Sequence, residues 1–255
     1  MSKLISYYFK RDKWILLAMV ALSLPGGFLL GGYTGEESTV GAVAIFVGFT
    51  AFFIGVSILP LWLCIRDYKR MYGTYGSFFA ALPLTGKEAM GGRGLWFIIV
   101  VVVACLCSLA YFGPIIFRSV REEMELCRFF AALFEQPNVN YSTGFAFMVI
   151  AGMLLAAAVW VFVTSVGSEK PFRRFGIGGP IMLYVGVQIA MNVVVSTVMN
   201  VMGSQRVFIN EEFMVQEVAG LFFRTSLVLS GLMLIAAVVL FLRSVYSHDK
   251  KLSVS

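Results

Sequence analysis

The sequence predicts an all-α membrane protein that crosses the bilayer six times, with both ends of the chain in the cytoplasm. Three observations support this fold class: the composition, the long apolar runs and the placement of basic residues. Of the 255 residues, 59% are hydrophobic and 13% are charged, which is more apolar surface than a soluble domain can bury. Apolar runs of about 20 residues cross the hydrocarbon core as helices, because a helix satisfies its own backbone hydrogen bonds.

Six apolar runs reach this length and form one predicted transmembrane domain over residues 1–255. They cover residues 14–32, 40–65, 95–117, 144–166, 176–202 and 221–242. The second run contains Pro60, which predicts a kink because proline removes a helical hydrogen bond.

The basic residues set the predicted orientation. With the N-terminus inside, the inside segments hold 15 of the 20 lysine and arginine residues. These segments are 1–13, 66–94, 167–175 and 243–255. Enrichment of basic residues on the cytoplasmic side is the usual rule for membrane proteins. The net charge of +6 therefore reflects topology, and a nucleic-acid partner is not needed to explain it.

The segment before the first span has the pattern of an amphipathic helix. Its apolar face carries Leu4, Ile5, Tyr8 and Phe9, and its polar face carries Lys3, Ser6, Lys10 and Lys13. This pattern predicts an interfacial helix on the inner leaflet. The alternative, a basic flank that only fixes topology, explains the lysines but explains the aromatic face less well.

The longest inside segment, between the second and third spans, contains a helix-start motif. After Leu82-Pro83-Leu84, the residues Thr85-Gly86-Lys87-Glu88 form a capping box, in which Thr85 caps a helix and Glu88 reaches back to it. We expect a short cytoplasmic helix here, separated by Gly91-Gly92 and Arg93 from the third span.

The fifth span carries a stripe of polar side chains, each four residues after the last: Gln188, Asn192, Ser196 and Asn200. Side chains at this spacing lie along one helix face, where they either line a pathway or bond to a neighbouring helix. No aspartate or glutamate lies in any predicted span, which disfavours a proton or metal relay through the bilayer.

The chain lacks the residues of a nucleotide-binding P-loop and of a hydrolytic active site. A P-loop would need glycine at Ala81 and serine or threonine at Glu88. The single histidine, His248, lies in the C-terminal tail, so neither an HExxH zinc site nor a Ser-His dyad can form. We expect no catalytic residues, no cofactor and no metal.

The six spans, the amphipathic N-terminus and the segment Leu82-Pro83-Leu84-Thr85-Gly86-Lys87-Glu88 together resemble the membrane subunits of bacterial type-2 ATP-binding-cassette exporters. The small permeases of Gram-positive bacteria are particularly similar. The resemblance covers the whole chain in topology but only this segment in recognisable residues. In that family the segment contains the coupling helix, which docks on a separate cytoplasmic ATPase.

The resemblance implies a permease subunit in the bacterial cell membrane, without an activity of its own as an enzyme. Residues 82–88 would contact the ATPase, with Leu82 and Leu84 as apolar anchors and Lys87 and Glu88 as polar ones. The subunit would work as a homodimer or with a related permease, surrounded by membrane lipids. The polar stripe is then the candidate for the pathway or the subunit seam.

Two other functions remain open at this point. The ligand-binding membrane subunit of an importer also has about six spans, but the known ones lack a coupling segment like this one. A scaffold or immunity-type membrane protein also fits, because nothing in the spans proves transport.

Overall fold

The computed structural model describes residues 2–32, 39–72, 85–123, 134–135, 138–203 and 214–252. These residues are almost entirely helical, and the described part contains no strand. In chain order the helices are α1 (Ser2–Gly32), α2 (Thr39–Phe53), α3 (Leu59–Tyr72), α4 (Gly86–Glu123), α5 (Asn138–Val166), α6 (Lys170–Arg173), α7 (Gly178–Gly203) and α8 (Met214–Tyr246). A π-helical segment, Ile54–Ile58, joins α2 to α3, and another, Ser247–Leu252, follows α8.

Five helical stretches in the described part are long and apolar enough to cross a membrane. They are Phe46–Tyr72, Gly86–Pro114, Asn138–Val166, Gly178–Met202 and Val218–Lys250. They correspond to the second to sixth predicted spans, so the helical membrane protein is confirmed. The predicted first span, residues 14–32, lies within α1 but is not among the five. The sixth crossing, like the orientation, stays a prediction.

The chain divides into two compact units, Met1–Glu125 and Leu126–Ser255. In the first unit, α1 packs along α4 and α2. The buried residues of α1 recur every three or four positions, as expected for one face of a helix: Tyr8, Asp12, Leu16, Met19 and Ser23. The core of this unit therefore follows one stripe of α1 from its first turns into the predicted span.

The second unit is built on α5 and α8, which pack together along their lengths. Its core includes Leu155, Val159 and Val163 from α5 and Ala237 from α8. Helix α7 packs against this core with one face only, through residues such as Val187 and Met191. That residues 1–255 form a single transmembrane domain stays a prediction.

The N-terminal helix differs from the prediction. The amphipathic pattern is present, but α1 runs without a break from Ser2 to Gly32, so the predicted interfacial helix is the first part of one long helix. No glycine or proline separates the two parts at Lys13 and Trp14. Of the predicted apolar face, Tyr8 is buried and contacts α4, whereas Phe9 is 54% exposed, so only part of this face packs on protein.

The prediction of a short helix before the third span is also wrong about where that helix ends. Helix α4 begins at Gly86 as expected but continues through Gly91-Gly92 to Glu123. Glycine inside a helix costs about 1 kcal/mol relative to alanine. Gly92 lies directly under the Leu4 side chain, so close packing of α1 explains why glycine is found here.

Candidate functional site

The predicted capping box is present at the start of α4. The Thr85 backbone N–H and hydroxyl both donate to Glu88 Oε2, at 3.1 and 3.0 Å, and the Glu88 N–H donates to Thr85 Oγ1 at 3.3 Å. These bonds satisfy donors that a helix N-terminus otherwise leaves unpaired. The motif therefore fixes the residue at which α4 begins.

The remaining coupling residues divide into exposed and buried positions. Thr85, Lys87 and Glu88 are exposed, and Gly86 is buried. The predicted apolar anchors Leu82 and Leu84, together with Pro83, lie outside the described residues. The described part of the predicted docking segment thus presents a threonine, a cation and a carboxylate to its surroundings.

Two turns into α4, Arg93 forms a buried ion pair with Asp67 of α3. Its Nε and Nη2 donate to Asp67 Oδ2 at 2.9 and 2.6 Å. Arg93 is 0% exposed and Asp67 is 2% exposed, so water contributes little to stabilising either charge. Arg93 Nη1 also donates to the Tyr72 hydroxyl at 3.1 Å. Helix α4 is therefore joined to the last turns of α3.

A second ion pair joins α3 to α1. Arg66 Nη1 lies 3.1 Å from Oδ1 of Asp12, which is 0% exposed. Arg11 Nε also lies 2.8 Å from each oxygen of the same carboxylate. Asp12 thus has two cationic partners, as a buried carboxylate requires.

An aromatic contact completes this arrangement. The Tyr8 ring stacks on Trp96 of α4, with ring centroids 5.7 Å apart and an interplanar angle of 15°. Burial raises the pKa of Tyr8 far above its ordinary value, and the Asp67 charge raises it further, so the phenol is neutral. We call the first turns of α4, the first half of α1 and α3 the ion-paired corner.

The sequence analysis did not identify Asp12 and Asp67. Asp12 lies four residues after Tyr8 and four before Leu16, so the helical period alone placed it on the buried face. A buried carboxylate needs a cationic partner. An aspartate on the buried face of a helix was therefore the signal in the sequence that indicated an ion pair. The identity of the partner, Arg66 of a different helix, could not be read from that spacing.

The predicted polar stripe lies on an exposed face of α7. Gln188, Asn192, Ser196 and Asn200 are all exposed. Gln188 and Asn192 directly follow Val187 and Met191, which pack on the core, and one residue rotates a side chain by about 100° around the helix. The stripe therefore faces away from the core of its own unit.

The second unit has a polar cluster where α5 ends. Glu169 Oε1 lies 2.7 Å from Arg243 Nη2 of α8, and Glu169 is 4% exposed. The Ser168 hydroxyl donates to the Ser165 carbonyl at 2.5 Å. This cluster holds the connection between α5 and α6 against the end of α8.

Within the described part of the chain, no three histidine, cysteine, aspartate or glutamate side chains are grouped as a metal site requires. No protein-family model, curated protein or solved structure matches this chain. The family resemblance therefore depends on the sequence segment and on the arrangement of the predicted spans.

Proposed function

We propose that this chain is the permease subunit of a bacterial ATP-binding-cassette exporter. In this proposal it forms the translocation pathway, and a separate cytoplasmic ATPase drives it. The observation that carries the proposal is the exposed capping box at the start of α4, directly before the Arg93–Asp67 ion pair. The Arg93–Asp67 ion pair joins α4 to α3, and the Arg66–Asp12 ion pair joins α3 to α1. A movement of the capping box would therefore be transmitted to all three helices.

The docking segment combines two kinds of contact. Lys87 and Glu88 are exposed and of opposite charge, which suits polar contacts at the rim of a protein interface. Leu82 and Leu84 precede them and would enter an apolar groove of the ATPase. Central apolar anchors with a polar rim are the usual anatomy of a protein–protein interface.

The topology in this proposal is six spans in the bacterial plasma membrane with both ends in the cytoplasm. The positive-inside distribution supports it, because it places the docking segment and the ion-paired corner on the ATPase side. Two permease subunits, identical or related, would stand above two ATPase subunits. ATP binding would close the ATPase pair, and the docked segments would transmit that movement as a rigid-body rearrangement.

The polar stripe of α7 supports a pathway or a subunit seam. Amide and hydroxyl groups that face hydrocarbon lose hydrogen bonds to water, which costs about 2–7 kcal/mol for each group. Since Gln188, Asn192, Ser196 and Asn200 face away from their own unit, a second subunit or the water of a pathway would satisfy them.

Capture of the ATPase tests the coupling assignment. The chain is co-expressed with the ATPase encoded nearest to it and purified through a tag on the permease. We expect the wild type to retain the ATPase and the Leu82→Asp, Leu84→Asp double variant to lose it. Phe134→Asp is the control, because Phe134 is 81% exposed but lies in a segment predicted to face outside.

Each outcome has a distinct meaning. Loss of the ATPase from the double variant alone supports docking through residues 82–88. Retention by both variants places the docking surface elsewhere, and no capture by the wild type favours an importer's ligand-binding subunit or a scaffold. Alanine substitution of all four stripe residues tests the pathway and the seam, and both are refuted if transport and dimer assembly remain unchanged.

A further inference from the structure

At the edge of the ion-paired corner, the buried carboxylate of Asp12 is surrounded by more positive charge than it neutralises. Arg11 Nε lies 2.8 Å from each of its oxygens, and Arg66 Nη1 lies 3.1 Å from Oδ1. A guanidinium group does not lose its proton in proteins, so both arginines are charged. One carboxylate balances one of them, and one positive charge is left over.

A third arginine adds to this excess. Arg70 follows Arg66 by four residues on α3, and like charges at this spacing are neighbours that repel each other. The acidic residues of α3 and of the first turn of α4 are already engaged, since Asp67 bonds to Arg93 and Glu88 accepts the bonds of the capping box. An anion from outside the chain would therefore stabilise this group of arginines.

The excess charge is accessible at the surface of the chain. The Arg66 side chain is 27% exposed, whereas that of Arg11 is 8% exposed. An incoming anion would therefore meet Arg66, which Asp12 holds in place from the buried side. A guanidinium group carries five N–H donors in a planar fork, so Arg66 can bond to the carboxylate and to a phosphate at the same time.

The residues beyond Arg11 and Arg66 follow the same order on both helices. Towards the middle of each predicted span, a tryptophan comes next, Trp14 three residues after Arg11 and Trp62 four residues before Arg66. Trp14 is 70% exposed and Trp62 is 49% exposed. One turn further, both are followed by exposed aliphatic residues, Leu17 and Ile58. From water towards hydrocarbon, the order is thus arginine, tryptophan and aliphatic side chain.

This order matches the layers of a phospholipid leaflet. The phosphate, the ester groups and the acyl chains lie at successive depths, and tryptophan prefers the level of the headgroups. A cation also lies over each ring, with Lys13 Nζ 5.4 Å from the centre of the Trp14 ring and the Arg66 guanidinium carbon 5.5 Å from that of Trp62. Positive charge and tryptophan thus lie together at the depth of a lipid phosphate.

We propose that Arg66, with Arg11 and Arg70, binds the phosphate of an anionic phospholipid whose acyl chains pack on Trp62. An anionic lipid supplies the negative charge that the arginines lack, whereas a zwitterionic headgroup brings a cation of its own. The site is independent of the proposed permease function, because it requires neither an ATPase nor a second subunit. Only its assignment to the inner leaflet rests on the predicted orientation.

Contact quenching of a single tryptophan tests this site. Trp14, Trp96 and Trp160 are replaced by phenylalanine, which leaves Trp62 as the one tryptophan of the chain. The isolated chain is placed in phosphatidylcholine nanodiscs that contain the same fraction of either brominated phosphatidylglycerol or brominated phosphatidylcholine, because bromine quenches tryptophan only on contact. We expect phosphatidylglycerol to be enriched at Trp62 about fivefold over phosphatidylcholine, the factor for one basic residue near an anionic lipid.

Two variants that each remove one positive charge separate the site from general attraction to the membrane surface. Arg66→Gln should abolish the preference, and Asp12 keeps Arg11 as its partner in this variant. Lys87→Gln is the matched control, since Lys87 is exposed in the same unit and is predicted to face the same side of the membrane. We expect this control to keep the preference, because Glu88 beside it balances the charge of Lys87.

The comparison of the two lipids decides the proposal even if Arg66→Gln does not fold. Equal quenching by both lipids would overturn it, as would an unchanged preference in folded Arg66→Gln or an equal loss in Lys87→Gln. Arg70→Gln is the second variant, and it should lower the preference at least about twofold; an unchanged value would also count against the site. Inorganic phosphate should not displace the brominated lipid, and displacement would mean that the arginines bind free phosphate instead.

Discussion

Replacing Arg93 with leucine removes the cation that neutralises the buried carboxylate of Asp67. Arg93 makes two hydrogen bonds to this carboxylate, at 2.9 and 2.6 Å. A hydrogen bond to a charged group contributes about 1.5–3 kcal/mol, and breaking a buried ion pair costs about 3–5 kcal/mol. We expect Arg93→Leu to lower the free energy of unfolding by about 3–5 kcal/mol.

The double variant distinguishes the ion pair from the packing of its side chains. Asp67→Leu alone leaves Arg93 with the Tyr72 hydroxyl as a remaining acceptor, so a large loss is again expected. With both residues replaced by leucine, no buried charge is left unpaired, and apolar replacements of buried pairs are often neutral or stabilising. We therefore expect the double variant to recover most of the stability.

Reversible unfolding in mixed detergent micelles measures these differences. With Trp14, Trp62 and Trp160 replaced by phenylalanine, tryptophan fluorescence follows the corner directly, because Trp96 is buried and stacks on Tyr8. Lys10→Leu is the control, since Lys10 is exposed and lies before the first predicted span, so its loss should change stability by less than about 0.5 kcal/mol. A loss below about 1 kcal/mol for Arg93→Leu, or a double variant as unstable as the single ones, would refute this reasoning.

The other predictions concern a close contact, the capping box and the second unit. Gly55→Ala should lower the free energy of unfolding by about 1–3 kcal/mol, because its Cβ would lie 3.0 Å from Ser23 Oγ and 3.2 Å from the Met19 carbonyl oxygen and these neighbours must shift. Gly113→Ala, with nothing within 4 Å, should be neutral or stabilising in the same assay. Glu88→Ala should weaken the start of α4 and speed hydrogen exchange of its first amides, whereas Lys87→Ala should not; equal exchange in both variants would contradict the capping role. Glu169→Ala should cost about 1–3 kcal/mol in thermal unfolding, and an unchanged melting temperature would show that its ion pair contributes nothing.

The residue pattern was sufficient to predict the helices and the start of α4. Long apolar runs allow only a helix in lipid, so helices cover five of the predicted spans. Their bounds were less predictable: α5 ends at the predicted residue Val166, but α4 begins at Gly86 whereas the predicted span begins at residue 95. The capping box was equally local, because Thr85 and Glu88 are three residues apart and bond to each other. Interactions that depend on spacing along one helix can be read from sequence.

The polar stripe was predictable in position but not in role. Its four-residue spacing placed Gln188 and Asn200 on one face, and both are exposed on α7. What covers that face depends on a surface that the spacing of one helix does not encode. The pathway and the seam therefore remain for experiment to distinguish.

The amino-acid sequence by itself determined that this is a helical membrane protein and where α4 begins. Only the tertiary structure decided that Asp12 pairs with Arg66 and Asp67 with Arg93, that α4 continues through Gly91-Gly92, and that the second span contains a π-helical segment. The physical reason is that hydrophobic periodicity and capping act over a few residues of one helix. Ion pairs between helices, and the close packing that tolerates glycine or an extra residue, depend on neighbours distant in the chain.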